Sequence, residues 1–173
     1  MSITIERFDV NQLQSHLPEF IDLLCDTVNN GGSVNFLAPF TQEDADRFWQ
    51  KIAADLPDGT HILLAALETG RVVGSVQLAL ATQPNEPHRA EVQKLFVHSN
   101  NRRQGIARLL MSAIEDQARA CHRTLLVLDT ERGSSAEPLY EQMGYQRVGS
   151  IPGFALNTSG KPSDNVIFYK TIV

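Results

Sequence analysis

At 173 residues the chain has the length of one domain, expected over residues 1–173, and can bury a full core without a disulfide or metal staple. Hydrophobic residues make up 42% and charged residues 20%, an ordinary balance for a soluble protein, and no apolar run approaches the ~18 residues of a membrane span. The net charge of −5 argues against broad attraction to nucleic acid or an anionic membrane, suits a cationic partner such as an amine, and obliges any anionic ligand to find a local basic patch.

Residues 2–8 alternate apolar and polar side chains and read as a strand. Leu13, Leu17, Phe20, Ile21, Leu24 and Val28 keep helical spacing, with Pro18 in the first turn and Asn29-Asn30-Gly31-Gly32 as the stop. Thr41 caps a second helix with the stripe Ala45, Phe48, Trp49, Ile52, Ala53, Leu56, halted by Pro57-Asp58-Gly59. Trp49 is assigned to the core. Residues 60–67 and 71–81 form a hairpin across Glu68-Thr69-Gly70, and 90–98 continues the meander as a third strand. A strongly amphipathic helix spans 105–121, with the stripe Ile106, Leu109, Leu110, Ala113, Ile114, Gln117, Ala118, Cys121. The continuous apolar run 125–128 reads as a strand covered on both faces, joined to 90–98 by a right-handed parallel crossover. Ser135 caps a fourth helix that ends near Gly144, and 145–151 and 165–172 are the last strands, separated by a long connection. The order β-α-α-β-β-β-α-β-α-β-β predicts an α/β (α+β) fold. Its sheet is mixed, mostly antiparallel and seven-stranded, with one central parallel pair and four helices over both faces.

Cys25 and Cys121 lie on apolar helix faces and read as buried free thiols. The N-terminal stretch has no apolar segment of signal-peptide length, so the cytoplasm is the expected compartment. The five histidines show no metal-ligand spacing, and no metal is expected.

The most informative segment is Arg102-Arg103-Gln104-Gly105-Ile106-Ala107, between a strand and a helix. A strand that turns through glycine into a helix N-terminus points several free N–H groups at one spot, which the helix dipole makes favourable for an anion. Arg102, Arg103 and Arg108 add positive charge. The segment is neither a P-loop nor a dinucleotide fingerprint. Read without its flanks, it also fits a tight connection with solvated arginines.

With its flanks, the motif resembles the signature of the GNAT superfamily of acetyl-CoA-dependent N-acetyltransferases. Arg102, Gly105 and Ala107 occupy that signature. Leu139-Tyr140-Glu141-Gln142-Met143-Gly144-Tyr145 is similar to the family's later helix ending, and Phe168-Tyr169-Lys170 to its closing strand. The element order matches along the whole chain. A closer likeness, to the family's toxin-resistance members, runs through residues 89–95, Leu128-Asp129-Thr130-Glu131, Arg147-Val148-Gly149 and Ile151-Pro152-Gly153.

The resemblance implies acetyl-CoA as cosubstrate and a central parallel pair that splays apart. Amides from Arg103 through Arg108, Gln104, Gly105, Ile106 and Ala107 included, would cradle the pyrophosphate. The backbone of Leu95, Phe96 and Val97 would pair with the pantetheine arm as an added strand. Many members carry an asparagine seven residues before the helix tyrosine, where this chain has Gly133, so Ser134 or Ser135 is expected to replace its contact.

Two carboxylates are candidate bases for the attacking amine. Glu91 stands eleven residues ahead of Arg102, a spacing similar to the base position in histone-type members, and Asp129 ends the parallel partner strand. Either can take the proton while the other binds the amine. Tyr140 resembles the tyrosine that protonates the leaving thiolate. Substrate recognition is expected from Glu91, Asp129, and Phe36 and Phe40 in the glycine-rich yet apolar segment 29–40, read either as a lid or as a loop tucked on the core. The resulting expectation is direct acetyl transfer to a small-molecule amine by a monomer or homodimer. Protein amines as acceptors, and a CoA-binding module without turnover, are the rival readings.

Overall fold

The computed structural model describes residues 2–32 and 34–173. Its strands are β1 (Ile3–Phe8), β2 (His61–Glu68), β3 (Arg71–Leu80), β4 (Arg89–Val97), β5 (Leu125–Glu131), β6 (Gln146–Leu156) and β7 (Pro162–Thr171). They form one seven-stranded sheet in the order β1-β2-β3-β4-β5-β7-β6, in which only β4 and β5 run parallel. The helices among the described residues are α1 (Val10–Ser15), α2 (Leu17–Asn29), α3 (Gln42–Asp55), α4 (Ile106–Ala120) and α5 (Ala136–Gln142).

The mixed, mostly antiparallel sheet is as expected, but there are five helices where four are predicted. The first predicted helix is split at His16, which ends α1 and begins α2. Pro18 explains the break. Inside a continuous helix it would remove the bond to residue 14 and clash with that carbonyl, whereas in the first turn of α2 its missing N–H is harmless. The α3 start is as read: Thr41 and Asp44 form a reciprocal capping box.

Two apolar layers flank the sheet. On one face α1, α2 and α3 pack Phe20, Leu24, Trp49 and Ile52 against Leu63, Ala65 and Phe96. Trp49 is wholly buried, and its indole N–H donates to the Phe20 carbonyl at 2.8 Å. On the other face α4 and α5 pack Ile106, Leu110, Met111, Ile114 and Tyr140 against Ile62, Leu64, Leu126 and Phe168. Each such fully buried aliphatic side chain contributes about 1.5–3 kcal/mol. The stripe of α4 differs from the predicted one: Leu109 is 46% exposed, while Met111 is fully buried.

The predicted connection 152–164 is mostly strand. β6 and β7 pair out to Leu156↔Pro162, with irregular register across Ile151 to Ala155. Because β6 is the sheet's edge, Pro152 needs no ladder partner, and Gly153 at φ +60° absorbs the irregularity. On β5, Val127 is only half-buried, so that strand is covered less completely than its apolar run suggests. No helix is long and apolar enough to cross a membrane.

Candidate active site

The loop from β4 to α4 is built to present backbone donors. Arg103 at φ +65° and Gly105 at φ +80° bracket Gln104, and alternating such residues turns successive amides toward one side. No side chain caps α4, so the N–H groups of its first turn are free for a ligand. A Cβ on Gly105 would meet nothing within 4 Å, so the left-handed φ, not crowding, is what calls for glycine.

Gly74 on β3 sets how closely α4 approaches. A Cβ there would lie 2.9 Å from the Phe96 carbonyl oxygen and 3.3 Å from Ile106 Cγ2. The base of the loop is held from α2, where Asp26 accepts the Ser99 N–H at 2.7 Å and its hydroxyl at 2.6 Å.

The parallel pair parts where the resemblance places the splay. Arg89↔Leu125, Ala90↔Leu126 and Glu91↔Val127 pair, and the two strands then diverge. A cleft of about 850 Å³ opens between them, lined by Leu95, Phe96, Val97, Arg102, Arg103, Gly105, Ile106, Ala107, Arg108, Ser135, Glu91, Asp129 and Tyr140. Among the predicted cofactor-side residues, Gln104 does not line it. The Phe96 ring itself is buried against Trp49, and its carbonyl lies on the β3 side, close to Gly74. The freed β4 edge, the uncapped helix start and the three arginines fit the pantetheine, pyrophosphate and charge of acetyl-CoA.

The sheet's two faces contribute different groups to the cleft. Ala90, Leu126, Leu128 and Val166 belong to the α4 face. By strand alternation Glu91, Asp129 and Asn165 therefore project to the α1–α3 face. Tyr140 approaches from the α4 side, packed on Tyr145 and Phe168 at 5.8 Å each. Burial raises its phenol pKa well above the ordinary value, and the charge of Asp129 raises it further.

Asp129 Oδ2 accepts from Asn165 Nδ2 at 2.6 Å, while the buried Asn165 Oδ1 has no partner. Among the described residues no group of three or more His, Cys, Asp and Glu side chains is placed to hold a metal ion.

Not every expected residue reaches the cleft. Phe36 and Phe40 pack on each other at 4.7 Å, and Phe36 packs on Phe48 of α3 at 5.3 Å, so the segment is tucked against the helix layer. Only its start, including Gly31, Gly32, Val34 and Asn35, lines the cleft. Asn29 ties its neck, since its side-chain amide accepts from the Phe40 N–H and donates to the Phe40 carbonyl. Ala38 N–H donates to the Thr158 carbonyl at 2.8 Å, so the two segments expected to choose the substrate are joined.

Ser135 sits at the α5 N-cap position without a capping bond. Glu137 instead accepts from the Gly133 N–H, which Gly133 at φ +81° turns toward it. The two cysteines are half-buried, not buried, and neither lines the cleft.

Sequence reasoning missed Lys94 and Asn165, which both line the cleft. Register shifts between β3 and β4 where Ser75↔Phe96 gives way to Gln77↔Gln93, which inserts one extra residue into β4. Lys94, at φ +54°, lies in that bulge. A signal existed: Lys94 stands where Ala90, Val92 and Phe96 lead one to expect an apolar residue. Nothing local marks Asn165.

A backbone anion cradle opening into a parted parallel pair, with carboxylates on one side and a buried phenol on the other, defines an acyltransferase that uses a nucleotide thioester. Comparison with known proteins gives the family. The description "Acetyltransferase (GNAT) family" matches residues 21–145. The chain is 31% identical over 138 residues, 79% of this chain and 80% of the relative, to an uncharacterised N-acetyltransferase of the hisH-hisA intergenic region of Azospirillum brasilense.

It is 26% identical over 157 residues to the N-acetylaspartate synthetase of Danio rerio, of which the match spans 54%. Its fold is shared, at TM-score 0.78 and 15% identity over 100% of this chain and 95% of the other, with yncA of Salmonella typhimurium, solved with its cofactor acetyl-CoA. The chain belongs to the GNAT acetyltransferase family, whose cosubstrate is acetyl-CoA.

Proposed function

We propose that the protein transfers the acetyl group of acetyl-CoA directly to the amine of a small, amino-acid-like molecule, in a cytoplasmic detoxifying role. The observation that carries this reading is the placement of Glu91 and Asp129 on one face of the sheet where β4 and β5 part. A side-chain amine of pKa ~10.4 costs about 4.6 kcal/mol to hold neutral at pH 7, and an α-amino group only about 1 kcal/mol. A positioned carboxylate is therefore needed most for the first kind.

The amine nitrogen attacks the thioester carbonyl carbon, the carbon–sulfur bond breaks, and the nitrogen's proton passes to Glu91 or Asp129. Tyr140 meets the leaving sulfur as a phenol. With its pKa pushed up by burial and Asp129, full transfer to a thiolate of pKa ~8.5 is uphill, so its role is to donate a hydrogen bond. Direct transfer is supported by the absence of either cysteine from the cleft. Burial foremost, then Asp22 and Asp44, raises the Cys25 thiol further from a reactive thiolate.

The small-molecule acceptor is supported by the name of the Danio rerio relative, a synthetase of an acetylated amino acid, and by the sequence resemblance to the family's toxin-resistance members. Free-thiol release from acetyl-CoA, followed across amino acids, polyamines, aminoglycosides and peptide amines, tests the reading. Release with a small amino-acid-like amine is expected. Acetyl-CoA binding without release for any amine, or release with peptides alone, overturns it.

A further inference from the structure

The cleft holds a cation that the transfer chemistry does not use. Lys94 is placed in the cleft by the β4 bulge, on the side where Glu91 and Asp129 stand. An ammonium has three donors. One reaches the Val34 carbonyl at 3.3 Å, and the charge lies 5.8 Å over the Phe36 ring. Among the described residues no carboxylate stands within ion-pair distance of it. Burial lowers its pKa, against the opposing pull of Asp129 and Glu91. A desolvated cation with donors to spare is costly unless something brings it an anion.

The rest of the acceptor side has the opposite character. Glu91 and Asp129 offer negative charge, and Asn165 Oδ1, on a residue only 6% exposed, is an acceptor without a donor. The Asn165 amide cannot swing away, because its Nδ2 is held by Asp129 at 2.6 Å. One cleft thus carries acceptors suited to an amine and one cation suited to an oxyanion. A neutral amine would satisfy the first set and leave Lys94 unpaired.

We propose that Lys94 determines acceptor specificity by binding an acidic group, a carboxylate or a comparable oxyanion, on the same molecule whose amine is acetylated. This rests on the small-amine reading and narrows it to amines that carry an acid. Glu91, Asp129 and Asn165 hold the amine end, Lys94 holds the acid end, and Phe36 and Val34 hold Lys94.

The test compares L-amino acids with their amides as acceptors, using Lys94→Gln and Lys94→Arg. Gln keeps an N–H for the Val34 carbonyl but loses the charge, and Arg keeps the charge. Wild type should favour the acid over the amide in kcat/KM by at least about tenfold, the loss expected for one charge-assisted hydrogen bond. Lys94→Gln should bring that ratio near unity through KM, Lys94→Arg should restore part of it, and the KM for acetyl-CoA should stay within about twofold. A ratio untouched by Lys94→Gln, or an effect on acetyl-CoA instead, overturns the proposal.

Calorimetry with N-acetyl-L-amino acids and their amides keeps this test separate from that of the reaction. If no amine is turned over, weaker binding of the acid to Lys94→Gln still supports Lys94. Equal binding to both proteins, or no binding of any acid, overturns it.

Discussion

The two ends of the cleft are made of different material. At the end proposed for the cofactor, the cleft presents backbone: amides turned inward by Arg103 and Gly105, the uncapped start of α4, and the β4 edge freed beyond Glu91. At the end proposed for the acceptor, the cleft is lined by side chains from separate strands, Glu91 and Lys94 on β4, Asp129 on β5 and Asn165 on β7. Backbone sites tolerate side-chain change and depend on φ. Side-chain sites tolerate little change and depend on how strands are brought together. A cofactor common to a family fits the first kind of construction, and a particular acceptor fits the second.

The sharpest way to break this contrast is at the carboxylates. Glu91→Gln or Asp129→Asn is expected to lower kcat/KM by about 10²–10³-fold, the typical contribution of a positioned base. The larger loss marks the base and the smaller one the residue that binds the amine. The loss should shrink for acceptors whose amine is already largely neutral at pH 7. Steady-state rates with acceptors of graded amine pKa check this, and a rate unchanged by either substitution would remove the carboxylates from the chemistry.

At the cofactor end, Gly105→Val forces a β-branched residue to φ +80° and costs about 1–3 kcal/mol of local strain. The expected reading is a rise of about 10–100-fold in the KM for acetyl-CoA with kcat little changed. Gln104→Ala, which removes a side chain and leaves its amide, should have almost no effect. Equal losses from the two substitutions would show that side chains matter there after all.

A smaller loss than at the carboxylates or Gly105 is expected at Tyr140, which joins the two ends. Tyr140→Phe should lower kcat by about tenfold, or about 1.4 kcal/mol. The sign of its pKa shift fixes the pH behaviour. A raised phenol pKa keeps the donor form through neutral and mildly alkaline pH, so wild type and Tyr140→Phe should share the same profile up to about pH 10. An alkaline limb below that pH, lost in Tyr140→Phe, would make the phenol a titrating acid.

How far the sequence could be read follows the same division. The run from Arg102 to Ala107 is legible because a strand, a turn and a helix start are local, and a glycine with positive φ leaves a mark on sequence. The element order and the parallel pair were legible from periodicity and from the strand–helix–strand spacing, whereas the insertion of β7 between β5 and β6 was not. The break at His16 was missed, though Pro18 carried its cause. The swap of Leu109 for Met111 was missed because both fit an apolar stripe, and only the sheet beneath decides which is covered.

Sequence by itself thus determined the fold class, the strand–glycine–helix turn at Gly105, and the candidacy of Glu91, Asp129 and Tyr140. Only the tertiary structure brought Asn165, 36 residues beyond Asp129, onto that carboxylate, and inserted Lys94 at the bulge beside both acids. It also packed Phe40 on Phe36 and Phe36 on Phe48, outside the cleft lining. The reason is physical. An amide cradle is fixed by the conformation of a few adjacent residues. A constellation of side chains is fixed by strand register and by a bulge that no glycine announces, and these exist only once the sheet has closed.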